Sequence, residues 1–139
     1  MNKPVRICVY LWTLPTTAIG LLVAAVGLVS GGRARIVEGV LEVYGPAVAW
    51  LLRRATLLPG GASAMTLGHV VLGRDAETLD RTRAHERVHV AQCQRWGPLF
   101  IPAYLLAGAW MWLRGRDAYR DNPFEREAFA HSDPSRDER

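Results

Sequence analysis

His85, Glu86 and His89 form an H-E-x-x-H arrangement within the stretch RAHERVHVAQ. On a helix, residues four apart share a face with their Cβ atoms ~5–6 Å apart, so both imidazoles can reach one metal ion. Glu86 lies one step round from His85, close enough to touch a water beside that ion but badly placed to ligate it. Zinc suits such a pair: it lowers the pKa of water from ~15.7 towards ~7, and a neighbouring carboxylate can take the proton. The same carboxylate can then deliver that proton to a leaving amine. The bland alternative is an amphipathic helix with two surface histidines.

Two protein ligands do not complete a catalytic zinc site; a third is needed, with one position left open. A histidine six residues beyond His89 is excluded, because that residue is Arg95. A carboxylate from a later helix remains, and Glu125 and Glu127 in NPFEREAF are the acidic pair in the right part of the chain. Glu125 falls in a first helical turn, where free N–H groups favour an anion. It is the expected ligand, with Glu127 the alternative. Tyr104, Tyr119 and His131 are candidates for stabilising an oxyanion, Tyr119 ranking first because it lies near Glu125. Cys93, one turn beyond His89, reads as a small apolar filler, and His69 as an ordinary partly buried residue.

His85-Glu86-x-x-His89 followed by Glu125-x-Glu127-Ala128 resembles the gluzincin group of zincin-like metallopeptidases. The spacing is similar to a branch in which the first glutamate of an E-x-E-A-D segment is the ligand. HERVHVAQCQRWGP with NPFEREA downstream is also similar to small bacterial zincin-like domains of unknown substrate. The resemblance covers residues 64 to 130. It departs at Phe129, where that branch has an aspartate supporting the site. It implies an α+β zincin-like fold: a short sheet, the metal helix and a C-terminal ligand helix. It also implies a zinc cofactor, a peptide or protein substrate, and an edge strand, Ala64 to Gly73, that binds substrate by strand addition.

The elements that must position these groups are readable in outline. Ile7 to Ser30 runs 24 residues without a charge, about 36 Å as a helix and enough to cross a hydrocarbon core. Lys3 and Arg6 precede it, and Pro15 is expected to kink it. This segment, residues 1–33, reads as an uncleaved membrane anchor, with a signal peptide as the rival. Ala34 to Gly45 reads as a half-buried strand, Ala47 to Leu52 as a short helix and Leu58 to Ala62 as a turn. Ala64 to Gly73 is a second strand. Asp75 caps a helix that runs to Trp96, where Gly97-Pro98 stops it. Asn122-Pro123 opens the last helix. Residues 34–130 form the predicted domain, and residues 131–139 a disordered tail.

Leu99 to Leu113 is a second apolar block, and it separates His89 from Glu125. If it crossed a bilayer, the ligands would stand ~25–30 Å apart. A shared metal therefore requires a segment that packs against the metal helix and dips into one leaflet, placing the site at the membrane surface, on a side the sequence does not specify.

Charge points the same way. Residues 1–60 carry six basic and two acidic side chains, and residues 61–139 eleven of each. The excess of +4 flanks the first apolar block, which suits membrane lipid as a partner. No basic run with interleaved aromatics offers a nucleic-acid groove. Cys8 and Cys93 are read as free thiols. The expected function is a membrane-anchored zinc-dependent endopeptidase. The alternative is a non-proteolytic, membrane-associated zinc-binding domain with a structural or assembly role.

Overall fold

The structure, a computed structural model, describes residues 2–54 and 60–132. Helix α1 (Lys3–Val29) is followed by strands β1 (Arg33–Val37) and β2 (Val40–Tyr44) and helix α2 (Pro46–Arg54). Strands β3 (Ala64–Leu67) and β4 (Val70–Gly73) lead into α3 (Ala76–Trp96), one 3-10 turn, α4 (Phe100–Leu113) and α5 (Pro123–Ser132). The four strands form one mixed sheet in the order β1-β2-β4-β3, with β2 parallel to β4 and both outer pairs antiparallel. This is an α+β architecture with an N-terminal apolar helix.

Each expected strand is in fact a hairpin. The chain from Ala34 to Gly45 turns at Glu38-Gly39, both at positive φ (51° and 78°), which suits a two-residue primed turn. The chain from Ala64 to Gly73 turns at Gly68-His69, with Gly68 at φ 67°. Of this second pair, β3 is an edge strand, whereas β4 is central and buried along its length. The expected turn from Leu58 to Ala62 lies partly outside the described residues, as do residues 133–139 of the expected tail. Residues 131 and 132 form the end of α5.

The sheet separates two apolar clusters. Val43, Val70 and Leu72 meet Ala24, Val48 and Leu52 from α1 and α2 on one side. Val40 and Val71 meet Leu79 and Val90 of α3 on the other. Strand alternation places two polar residues on the α3 side as well. Glu42 is buried and receives Arg35 Nε (2.9 Å), Arg83 Nη2 (2.9 Å) and Arg87 Nη2 (3.4 Å). Burial alone would raise its pKa, but the three guanidinium groups outweigh that and hold it below the usual value. Thr66, the second, meets α3 at Glu86.

α1 continues through Pro15 as one helix, and it is not a free tether. Thr13, Thr16, Gly20, Ala24 and Gly27 are buried along one side of it. A Cβ at Gly20 would lie 2.7 Å from the Leu67 carbonyl oxygen and 2.8 Å from Val70 Cβ. Four side-chain bonds key the helix to the domain. Tyr10 donates to the Gly39 carbonyl, Trp12 Nε1 to Arg95 and Thr16 to Gly97, while Thr17 Oγ1 accepts from His69 N–H.

At the far end of α3, Gly97 takes φ 55° and ends the helix where expected. α4 has 14 residues, about 21 Å. The chain after it doubles back: Asn122 Nδ2 donates to the Tyr104 carbonyl (3.1 Å), and Gly108 lies against the Ala118 carbonyl. Asn122 Oδ1 then accepts from Phe124 N–H at the start of α5.

Two substitutions probe this framework. Glu42→Ala should cost ~3 kcal/mol or more, because it strands guanidinium groups packed round one buried carboxylate. Gly20→Leu should lower stability by about 1–3 kcal/mol by forcing α1 off the sheet. Thermal unfolding of the purified protein reads both.

Candidate metal centre

α3 begins at Asp75, whose side chain accepts from Thr78 N–H, and runs unbroken through His85, Glu86 and His89. Both histidines turn toward α5, which packs across α3. Glu125, in the first turn of α5, meets them there. His85 Nε2 lies 3.0 Å from Glu125 Oε2, and His89 Nε2 lies 3.2 Å from Glu125 Oε1. The two Nε2 atoms are 3.3 Å apart. Donors ~2.0–2.1 Å from a tetrahedral zinc stand about 3.3 Å from one another. The triangle of donor atoms has that size, so His85, His89 and Glu125 can hold a metal ion.

Glu125 is 4% exposed and needs partners. Besides the imidazoles it accepts from the Tyr104 hydroxyl at 2.7 Å. Burial would raise its pKa, but bonds from His85 and His89 pull it down to about 2. Burial likewise acts to lower the pKa of His89, and the Glu125 carboxylate overrides it, raising the group to about 9. Within the pair, a proton on His89 answers the charge of Glu125.

Glu86 is buried beside this cluster and points to the sheet. Its Oε2 accepts from Thr66 Oγ1 at 2.7 Å. Burial pushes its pKa up, against the pull of His89 and the Thr66 bond. Burial thus leaves a carboxyl with raised affinity for a proton beside the His85–His89–Glu125 cluster.

The other singled-out residues sort themselves by position. Glu127 is outside the ligand cluster; it binds Arg95 (2.6 Å) and Gln92 (3.0 Å). Tyr119 lies edge-on to Phe129, near enough to Glu125 for that charge, with burial, to keep its hydroxyl protonated. His131 turns back on its own helix, with Nδ1 at the Glu127 carbonyl. Cys93 is fully buried, its thiol pushed up to about 12 by desolvation, while Cys8 is exposed. His69 is buried under Tyr10, its ring stacked at 4.2 Å, and bonded to Gln94 rather than facing the ligands. Phe129 sets its ring 4.6 Å from that of His85.

Sequence reasoning missed Thr66 and Gln92. The strand alternation that turns Thr66 toward α3, and the three-residue step from His89 to Gln92, were the signals available. Tyr104, named beside Tyr119 and His131 as a candidate, donates its hydroxyl to Glu125 at 2.7 Å. No protein-family profile matches this chain, and comparison with curated proteins and with solved structures likewise finds no match.

The raised pKa of His89 makes metal uptake compete with a proton. Below about pH 9 each divalent ion should displace about one proton, and apparent affinity should rise about tenfold per pH unit. Calorimetry at pH 7 in buffers of different ionisation heat counts that proton. In metal-free protein the sign reverses. The His89–Glu125 pairing contributes its full stability between about pH 4.5 and 6.5, and loses it as pH rises through about 9 or falls through about 2.

Proposed function

We propose that this protein is a membrane-anchored zinc endopeptidase of the gluzincin type, its zincin-like domain spanning residues 34–130. The observation that carries the reading is the cluster of His85 Nε2, His89 Nε2 and a Glu125 carboxylate, with the buried Glu86 alongside. Two imidazoles and one carboxylate are donors that suit zinc and leave a fourth position open. Zinc, when bound, supplies a Lewis acid that makes water acidic near neutral pH.

The remaining work falls to the chain's own side chains. Glu86, oriented by Thr66, takes a proton from the attacking water and passes it to the departing amine. Tyr104 holds Glu125 in place. Tyr119, kept protonated, is the hydroxyl assigned to the developing oxyanion. β3 is the sheet edge beside α3 and is the strand on which an extended peptide would add.

Membrane attachment rests on α1 and α4. α1, at 27 residues, is long and apolar enough to span a bilayer. Its outer side exposes Ile7, Leu11, Leu22 and Val26, and α4 exposes Leu105, Leu106, Trp110 and Trp112. The bonds from Tyr10, Trp12, Thr16 and Thr17 into the domain support an α1 that is retained as an anchor rather than removed as a signal peptide. Lipid against both helices places the site at the membrane surface.

Metal analysis and a protease assay on an unfolded protein such as casein test the proposal. Wild type should carry about one zinc, and His89→Ala and Glu125→Ala should lose it. Glu86→Gln should keep the metal while hydrolysis falls about 10²–10⁴-fold. Full occupancy in both ligand variants would overturn the site. Hydrolysis undiminished in Glu86→Gln would leave the metal a structural or assembly role.

A further inference from the structure

Gln92 is a fully buried amide one helical turn beyond His89. A buried amide is costly unless its donors and acceptor are used. Here Oε1 lies 2.8 Å from His89 Nδ1, while Nε2 donates to the Phe124 carbonyl (2.9 Å) and to Glu127 Oε2 (3.0 Å). Arg95 Nη2, 2.6 Å from Glu127 Oε1, keeps that carboxylate ionised.

These contacts leave one orientation for the amide. A carbonyl and a carboxylate only accept, so the NH₂ group must face them. The oxygen therefore faces His89, and Nδ1 of His89 must carry hydrogen. That leaves Nε2, the nitrogen 3.2 Å from Glu125 Oε1, as the one that can lend a lone pair to a metal. The same amide grips the backbone of Phe124, the residue beside the ligand Glu125, and so sets where α5 sits along α3.

We propose that Gln92, backed by Glu127 and Arg95, is a positioning residue that selects the metal-binding tautomer of His89 and docks the ligand helix. The proposal rests on the reading that His85, His89 and Glu125 hold a metal. It assigns Glu127, the alternative third ligand, to the layer behind the site. Groups that orient a metal-bound imidazole typically change affinity by about 10–100-fold when lost.

The test uses the full chain in detergent. The zinc dissociation constant is measured by competition with a chromophoric chelator, beside thermal unfolding of the metal-free protein. Gln92→Leu should bind zinc about 10–100-fold more weakly than wild type. Gln92→Glu should also weaken binding, because it faces Glu127 with a second carboxylate. Adding Glu127→Gln restores an amide–carboxylate pair in reverse and should recover part of the affinity, since the Phe124 carbonyl still lacks its amide donor. A purely structural role would lower the melting temperature of the metal-free protein and leave the dissociation constant in place. A folded Gln92→Leu that binds within twofold of wild type overturns the proposal. If that variant does not fold, a double variant binding no tighter than Gln92→Glu overturns it instead. Wild type that takes up no zinc removes the metal reading itself, and this inference with it.

Discussion

A carboxylate pressed between two imidazoles that lie 40 and 36 residues earlier in the chain is the contact on which the rest of the structure converges. Burying Glu125 away from water is unfavourable unless its charge is answered. His85, His89 and the Tyr104 hydroxyl answer it from two different helices. The result is a prearranged negative pole facing two nitrogen donors. Its proton affinity is low on the carboxylate and high on His89, which is the polarity a dication would complete.

The sheet takes part in this arrangement through two polar residues on its α3-facing side. Glu42 gathers arginines from β1 and α3, fixing the helix laterally, and Thr66 reaches the carboxylate of Glu86. A strand face that were wholly apolar would bury α3 equally well but leave its rotation less defined. The polar contacts are directional, and they orient the face that carries both histidines. Gln92 performs the corresponding task between α3 and α5.

α1 is bound to the domain by hydrogen bonds and by a close approach at Gly20, so helix and domain form one body. This bears on the proposed membrane setting: α1 offers only its outer side to lipid. α4 likewise holds the site with Tyr104 while exposing leucines and tryptophans on its other side. The doubling back of residues 114–122 lets an apolar helix separate the histidines from Glu125 in the chain while the three stay together in space.

Much of this was legible in the residues. The turn-spaced His85 and His89 on one helix, its cap at Asp75 and its stop at Gly97 are local features, set by helical geometry and capping, and each is observed. Asn122-Pro123 marked the start of α5 for the same reason. The hairpins were misread as single strands because Glu38-Gly39 and Gly68-His69 are weak turn signals, and only strand pairing over a distance reveals them. Which glutamate meets the histidines, which tyrosine bonds it, and what stands behind each imidazole were not local questions. Glu125 and Glu127 are two residues apart on one short helix, and the sequence ranked them only by first-turn position. Their separate partners depend on how α5 is rotated against α3. Tertiary packing sets that rotation, through Gln92 and the returning chain at Asn122.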